Sequence, residues 1–142
     1  HRLLQVARGT QLGEQLDFKN RKVGRVGLLE KDGTGQEQDN QNLKYLYSSQ
    51  LASIALEDNS IDTFENFPEL RSLMELYIGN NKITDSKQVK NLCGLNKLII
   101  LDLSGNPISK EESYRFYVLY LLKKLKVLDG ISVESPEHIQ AR

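Results

Sequence analysis

Aliphatic residues and asparagine recur through the middle of the chain at fixed offsets. The first set is Leu51, Ile54, Leu56, Asn59 and Ile61. The second set is Leu73, Leu76, Ile78, Asn81 and Ile83, and the third is Leu98, Leu101, Leu103, Asn106 and Ile108. The period is 22 residues from 51 to 73 and 25 residues from 73 to 98. Such a repeat predicts stacked structural units that bury one continuous core.

Each repeat predicts a short strand followed by a turn. Ile54 and Leu56 alternate with polar or small residues, so one face of the strand is buried and the other is not. Asparagine follows where the chain turns off the strand, because its amide both donates to and accepts from backbone groups that the turn leaves unpaired. Stacking then predicts a structural asparagine ladder formed by Asn59, Asn81 and Asn106.

Apolar residues spaced three apart follow each turn. They are Phe64, Phe67 and Leu70 in one repeat, and Val89, Leu92 and Leu95 in the next. This spacing favours 3₁₀ or α-helical turns on the side opposite the strands, with Asp85 as the predicted N-cap of the second. The fold class predicted for the chain is therefore α/β, a leucine-rich-repeat solenoid with a parallel concave sheet and short convex helices.

A divergent repeat precedes the regular ones. Leu16, Phe18, Val23, Val26 and Leu29 have the spacing of Ile54, Leu56, Ile61, Phe64 and Phe67. Arg21 stands at the asparagine position. The stretch at 30–42 is rich in Gly, Gln, Asp and Glu and predicts a polar loop. Residues 40–50, which overlap the end of this loop, are predicted to form a helix that packs over the first regular repeat.

The end of the array is predicted to carry a helical cap, because a solenoid otherwise exposes apolar surface there. An apolar helical face is formed by Tyr114, Val118, Leu121 and Leu122. Ser109 is the predicted N-cap, with Glu112 three residues later. A last strand-like pass is predicted from Leu125, Leu128 and Ile131.

The cap resembles that of one intracellular leucine-rich-repeat group. The similar residues are Asn-Pro-Ile at 106–108, Tyr-Arg at 114–115, Val118, and Leu-Lys-Val-Leu-Asp-Gly at 125–130. The group includes the nuclear regulatory subunit of protein phosphatase, the spliceosomal A-prime protein and the axonemal dynein light chain. The resemblance covers about residues 51–133, and Lys124 stands where the group often has proline. It implies a scaffold in a larger intracellular assembly, in the cytoplasm or cilium or in the nucleus.

These patterns divide the chain into five segments. They are a divergent repeat or cap at 1–29, a polar loop at 30–42, leucine-rich repeats at 43–108, a C-terminal cap at 109–133 and a tail at 134–142. Because the chain opens on His1 and not on methionine, we expect it to be part of a longer protein.

The residues that catalysis or metal binding usually requires are sparse. Only two histidines occur, His1 and His138, and both lie near the termini. One cysteine, Cys93, excludes an intramolecular disulfide, indicates a reducing compartment and is expected to be a small, partly buried group. No Cys–His pair or Ser–His–acid set is placed together. We therefore expect a protein that is not an enzyme and holds no metal or cofactor.

Charge is balanced in total but not along the chain. Lys plus Arg and Asp plus Glu each number 19. Residues 1–29 carry a net +4, residues 30–85 a net −7 and residues 86–142 a net +3. A balanced total argues against nucleic acid as the main partner, since phosphate binding needs a basic excess.

The outward face of the predicted sheet is the candidate partner-binding site. Its residues are Glu57, Asp58, Glu75, Tyr77, Ile100 and Asp102, which we call the acidic face. An aromatic side chain among carboxylates suits a basic or amphipathic protein segment. The alternative is that these are ordinary solvated strand residues.

Two further alternatives remain open from the sequence. Lysines cluster in the cap at Lys123, Lys124 and Lys126, and basic residues cluster in the first repeat at Arg21, Lys22 and Arg25. Either cluster could meet an acidic protein or an RNA backbone, or could simply keep the solenoid ends soluble. The chain could also be an architectural segment of a longer array, or an RNA-associated assembly factor of the spliceosomal kind.

Overall fold

The structure is a computed structural model that describes residues 2–7, 15–28, 43–47 and 51–134. Its strands, in chain order, are β1 (Arg2–Ala7), β2 (Gln15–Asp17), β3 (Val23–Leu28), β4 (Leu43–Tyr47), β5 (Ser53–Ala55), β6 (Glu75–Tyr77), β7 (Ile100–Asp102), β8 (Val127–Leu128) and β9 (Ile131–Ser132). Two 3₁₀ helices cover Ser86–Leu92 and Pro107–Lys110, and one α-helix, α1, covers Tyr114–Leu121.

The predicted parallel sheet is confirmed. Six strands lie in the order β2-β5-β6-β7-β8-β9, and all neighbours are parallel except the last pair. Ile54 is paired with Leu76, Leu76 with Leu101 and Leu101 with Leu128. Because the register is constant, equivalent residues of successive repeats form straight rows across the sheet.

The apolar repeat positions form the core. Leu51, Leu73 and Leu98 are buried at the first position of each repeat, as are the aliphatic residues at the later positions. On the other side, Phe64 and Phe67 pack edge to face with ring centroids 5.8 Å apart. Residues spaced by the repeat therefore stack on one another and remove their apolar surface from water.

Each ladder asparagine is buried and joins its own repeat to the preceding one. Asn81 Nδ2 donates to the carbonyls of Leu56, Ile78 and Gly79 at 2.9, 3.2 and 3.1 Å, and its Oδ1 accepts from Ile61 N at 2.9 Å. Asn106 makes the equivalent bonds to Ile78, Leu103 and Ile83. Asn59 makes them to Phe18, Leu56 and Val23, and also binds Glu57 and Arg21.

A left-handed residue precedes each ladder position. These residues are Asn20, Asp58, Asn80 and Gly105, with φ of 54°, 59°, 56° and 77°. Asn, Asp and Gly tolerate this conformation better than other residues. At Gly105 a Cβ would also meet the Asn80 side chain, whose Oδ1 would have to move.

The divergent repeat is confirmed in register but differs in the segment after its turn. Leu16 is paired with Ile54, and Val23 and Val26 are buried in the core. The chain then forms β3 where later repeats form turns. Strand β3 belongs to a second, three-stranded parallel sheet of order β3-β1-β4. Leu29 and the predicted loop at 30–42 lie outside the described residues.

The helix predicted at 40–50 is wrong, because Leu43–Tyr47 is strand β4. Its partner is β1, with Leu3 opposite Leu43 and Ala7 opposite Tyr47. Pairing with a strand some forty residues earlier satisfies the backbone groups of this segment, and its two tyrosines suit a strand. The remaining residues of the predicted helix lie outside the described part of the chain.

On the convex side the two regular repeats differ. The 3₁₀ helix Ser86–Leu92 confirms the prediction for the second, and Asp85 caps it by accepting from Lys87 N at 2.9 Å. In the first repeat the chain forms only isolated turns, in which Phe67 N donates to Phe64 O and Leu73 N donates to Leu70 O. The longer connection of the second repeat has room for a helix, whereas the shorter one has not.

The predicted cap helix is present, but its start is not where the sequence indicates. Helix α1 begins at Tyr114 after Ser113, and the predicted N-cap Ser109 lies instead in the 3₁₀ helix Pro107–Lys110. Ser109 Oγ donates to Asn106 O at 2.7 Å. Tyr114, Val118 and Leu122 are buried as predicted. Leu125 and Leu128 are also buried, whereas Ile131 is exposed because β9 turns outward as an antiparallel strand.

Asp129 closes the sheet at the cap. In earlier repeats the amide after the strand donates to a carbonyl of the next strand, as Ile78 N does to Asp102 O at 2.8 Å. The equivalent amide of the last full repeat, Leu103 N, donates to the Asp129 carboxylate at 2.6 Å. Tyr114 Oη donates to the other carboxylate oxygen at 2.8 Å. A side-chain oxygen thus takes the place of the backbone carbonyl that accepts this bond in the earlier repeats.

Candidate functional site

The constant register brings the acidic face together from three neighbouring strands. Glu75 is paired with Ile100, and Tyr77 with Asp102. Glu57 lies beside the same row, since its Cγ is 3.7 Å from the Cβ position of Gly79. Alternation along each strand keeps these side chains half-buried while the leucine between them is buried. None of the outward positions at 53–57, 75–79 and 100–104 is Lys or Arg.

Tyr77 and Glu75 are held together at the centre of this surface. Tyr77 Oη donates to Glu75 Oε1 at 2.7 Å, and Ser53 Oγ donates to the same oxygen at 3.5 Å. The aromatic ring is thereby fixed before any partner binds. A fixed aromatic side chain loses little conformational entropy on binding, which suits an anchor for a partner.

Tyr77 lies in the field of all three carboxylates. The hydrogen bond to Glu75 raises its pKa to about 12, and burial and the charges of Glu75, Glu57 and Asp102 act in the same direction. The phenol therefore remains neutral at physiological pH and keeps its proton in the hydrogen bond to Glu75. The shift also indicates that this part of the sheet favours positive charge.

Asp102 and Asp58 are fixed by neighbours of their own. Asp102 Oδ1 accepts from Ser104 N at 2.9 Å and from Ser104 Oγ at 2.6 Å. Asp58 is exposed at the edge of the face, where its Oδ1 accepts from Asn80 Nδ2 at 3.1 Å. Each of these aspartates carries a second carboxylate oxygen with which it could contact a partner.

Glu57 has a buried carboxylate oxygen without a donor. Glu57 Oε1 is inaccessible to solvent and, among the described residues, receives no hydrogen bond. A buried carboxylate oxygen without a donor is costly to the folded state, and because its neighbours cover it, this atom is not itself a contact point for a partner. The charge of Glu57 nevertheless acts on Tyr77, so this residue contributes to the acidic face.

The structure shows an apolar edge beside the carboxylates that the sequence did not predict. Met74 is 40% exposed, and Ile99 and Val127 are half-buried next to Ile100. Strict alternation places Met74 and Ile99 inward. In the structure, however, the amides of Met74 and Glu75 both donate to Ala52 O, and those of Ile99 and Ile100 both donate to Met74 O. This repeated kink at the strand start breaks the alternation and leaves an apolar residue accessible.

The remaining predicted surface residues lie elsewhere. Lys123, Lys124 and Lys126 are exposed on the cap, and Arg21 and Lys22 are exposed on the first repeat. The side chain of Arg25 lies outside the described residues. Cys93 is exposed and not partly buried as expected, with Sγ 3.8 Å from Leu121 O, and partial desolvation raises its thiol pKa.

The described part of the chain contains neither a metal-binding cluster nor a membrane-spanning helix. Across the ranges given above, no group of three or more His, Cys, Asp or Glu residues is arranged to hold a metal ion. No helix in those ranges is long and apolar enough to cross a membrane.

Sequence comparison finds leucine-rich-repeat relatives. No family model matches the chain. The U2 small nuclear ribonucleoprotein A' of Arabidopsis thaliana is 34% identical over 116 residues, which cover 65% of this chain and 47% of that protein. Leucine-rich repeat-containing protein 23 of Homo sapiens is 35% identical over 94 residues, covering 66% of this chain and 27% of that protein. The chain thus spans less than half the length of these relatives.

Structural comparison agrees on the fold. The chain is similar to one in the crystal structure of the Drosophila melanogaster SNF/U2A' complex, with a TM-score of 0.56 and 22% sequence identity over 89% of this chain and 78% of that one. The similarity supports the solenoid architecture, and the sequence relatives support the resemblance of the cap.

Proposed function

Because this chain is a leucine-rich-repeat protein with the cap of the intracellular group described above, we propose that it is a non-catalytic module that binds another protein through the acidic face. The observation that carries the proposal is the convergence of Glu57, Glu75 and Asp102 around the fixed ring of Tyr77, with no cation at the neighbouring outward positions. A concave sheet of this kind is a rigid surface that can bind a partner with little rearrangement.

The chemistry of the face selects the kind of partner. Carboxylates attract Lys and Arg side chains, and the charges of Glu57, Glu75 and Asp102 all act on Tyr77 at the centre of this face. Met74, Ile99, Ile100 and Val127 offer apolar contact along one edge. A helix with one basic and one apolar face matches both features. The proposed partner is therefore a basic amphipathic segment of a protein.

The comparisons suggest the setting. The relatives named U2 small nuclear ribonucleoprotein A' support an intracellular assembly, and their name favours the nucleus. The structural neighbour was determined in a complex with SNF, which supports a partner-binding role. A ribonucleoprotein setting does not require this chain to contact RNA, and an acidic face disfavours phosphate. The cytoplasm or cilium remains the alternative given by the resemblance to the axonemal dynein light chain.

The test is a pull-down from nuclear and ciliated-cell extracts with the wild type and with Tyr77→Ala/Glu75→Lys/Asp102→Lys. The control is Asp62→Lys/Glu65→Lys, which adds the same charge at exposed residues between β5 and β6. We expect a protein captured by the wild type and the control to be lost with the face variant, provided that all three have the same circular dichroism spectrum.

The other outcomes of this pull-down would contradict the proposed site or favour an alternative function. Equal capture by all three proteins would contradict a site on the acidic face. Capture that is abolished by ribonuclease would favour the RNA-associated alternative. The absence of any specific partner in both extracts would favour the architectural alternative, in which the array only stacks within a longer protein.

A further inference from the structure

The cap helix carries an aromatic surface that the core does not use. Phe116 is 51% exposed and Tyr120 is 45% exposed, while Tyr114 and Val118 on the opposite side of α1 are buried. Residues four apart lie on the same face of a helix, so the two rings form one surface. Single exposed apolar residues are common, whereas adjacent exposed aromatic rings form a contiguous apolar patch of the kind that interaction surfaces use. We call Phe116 and Tyr120 the aromatic pair.

Opposite charges lie at the two ends of this helix. Glu111 and Glu112 are exposed just before α1, and Lys123 and Lys124 are exposed just after it. Lys123 Nζ is 4.7 Å from the centroid of the Tyr120 ring, which places this ammonium on the same face as the aromatic pair. None of these four side chains has an ion-pair partner among the described residues.

This order of acidic, aromatic and basic groups is self-complementary. When a second copy of α1 is placed antiparallel about a two-fold axis at Val118, Phe116 faces Tyr120 of the second copy. The same operation brings the acidic residues that precede one helix to the end of the other helix that Lys123 and Lys124 follow, and the symmetry repeats this contact at the opposite end. Antiparallel packing also opposes the two helix dipoles favourably.

We propose that the aromatic pair and its flanking charges form an interface between two copies of this chain. An isolated phosphate backbone fits this surface less well, because it would meet Glu111 and Glu112 at one end. The interface is short, since α1 has only eight residues, so the dimer is of the weak and transient class.

The position of α1 leaves the acidic face free. Helix α1 packs against the two 3₁₀ helices, on the side of the repeats opposite the sheet strands. No residue of this interface belongs to the acidic face, so the inference does not depend on the function proposed above. A dimer of this kind presents two acidic faces and binds a partner with two basic segments more tightly than a monomer does.

The experiment is sedimentation equilibrium of the 142-residue chain between about 5 and about 500 µM, a range that covers weak association. The wild type is expected to approach twice its monomer mass of 16.2 kDa at the highest concentration. Two variants are measured alone and mixed. One is Glu111→Lys/Glu112→Lys, in which both ends are basic, and the other is Lys123→Glu/Lys124→Glu, in which both ends are acidic.

Each charge variant alone is expected to self-associate at least about tenfold more weakly than the wild type, because like charges meet at both ends. The equimolar mixture is expected to recover dimerisation, because every pair is then complementary. Phe116→Ser/Tyr120→Ser is expected to remain monomeric alone. When it is mixed with the wild type, only the wild-type molecules are expected to associate. Asp62→Lys/Glu65→Lys serves as the charge control and is expected to behave as the wild type.

The proposal fails if the wild type stays monomeric at the highest concentration. It also fails if the two charge variants dimerise as well as the wild type, or if their mixture does not recover association. Circular dichroism and the urea midpoint of each variant establish that it is folded. Recovery in the mixture is itself evidence that both charge variants keep the native cap.

Discussion

At the residue scale, the buried asparagines connect one repeat to the next. Each amide bridges a turn and the preceding repeat, so that a side chain provides hydrogen bonds that a sheet cannot provide beyond its edge. Arg21 occupies the same position in the divergent repeat. Its amide and that of Val23 are satisfied by Asn59 Oδ1 of the following repeat.

Replacement of Asn81 tests this role. Asn81→Ala leaves the Ile61 amide without its acceptor and removes one of the two amide donors to the Leu56 carbonyl, and we expect the free energy of unfolding to fall by about 1–3 kcal/mol. Urea unfolding followed by circular dichroism measures the change. Lys82→Ala, at the exposed neighbouring residue, is the control. A loss for Asn81→Ala no larger than that of the control would contradict the ladder.

Tyr77 gives a prediction in alkaline solution. Its pKa of about 12 means that the folded state favours the neutral phenol. The resulting stability is therefore fully present below the unfolded-state pKa of about 10 and is lost as the pH rises from about 10 to about 12. The difference between the tyrosinate absorbance titrations of the wild type and Tyr77→Phe isolates this residue.

Glu75→Gln is the informative companion variant, because the hydrogen bond to Glu75 is the largest cause of the shift. We expect the pKa of Tyr77 to move toward 10 in this variant, since the negative charge is removed. Titration of Tyr77 near its ordinary pKa in the wild type would show that the ring and Glu75 are not paired in solution.

At the element scale, the cap ends the array with a side-chain acceptor where the earlier repeats use a backbone carbonyl. Asp129 accepts from Leu103 N and is held by the Tyr114 hydroxyl. Burial raises the pKa of Asp129, and the two hydrogen bonds oppose that shift. Burial also raises the pKa of Tyr114 well above its ordinary value, together with the charge of Asp129. Asp129 is the aspartate of the Leu-Lys-Val-Leu-Asp-Gly run on which the resemblance of the cap rests.

Substitutions of Asp129 separate its role as a hydrogen-bond acceptor from the effect of its buried negative charge. Asp129→Ala leaves Leu103 N unpaired, and we expect a loss of about 1–3 kcal/mol in unfolding free energy. Asp129→Asn keeps an oxygen for that amide without a buried charge, so we expect a smaller loss than for alanine. Chemical denaturation of both variants provides the comparison. Equal stability of the wild type and Asp129→Ala would show that the carboxylate does not close the sheet.

At the scale of the whole molecule, charge is separated along the solenoid. The net charge of −7 over residues 30–85 includes Glu57, Asp58 and Glu75 of the acidic face, whereas residues 86–142 carry +3 with lysines exposed on the cap. Opposite charges on different surfaces allow two interactions at once. One is the proposed partner on the sheet and the other is the proposed second copy on α1.

Binding of the partner to the acidic face is expected to depend on salt. Carboxylates at the surface lose most of their attraction for a basic segment once the Debye length falls to a few ångströms. We expect the affinity to fall by at least about tenfold between about 0.05 and about 1 M salt. Isothermal titration calorimetry with the captured partner measures it. Affinity that is independent of salt would indicate that the apolar edge alone mediates binding.

The sequence by itself determined the regular repeats. Leucine spacing specifies which side chains are buried, and asparagine specifies where the chain turns, because both depend on groups close in sequence. It also indicated the register of the divergent repeat and the presence of the cap. The residues of the acidic face follow from the same alternation, since a fixed register converts sequence period into rows on a sheet.

Only the tertiary structure decided the features that depend on distant backbone. Residues 43–47 form a strand because β1 supplies their hydrogen-bond partners, and α1 starts at Tyr114 because the preceding residues pack as a 3₁₀ helix on the last repeat. The exposed edge at Met74 arises from two amides that share one carbonyl. The hydrogen bond of Tyr77 to Glu75, the isolated oxygen of Glu57 and the exposed aromatic pair are likewise set by packing, which local sequence does not encode.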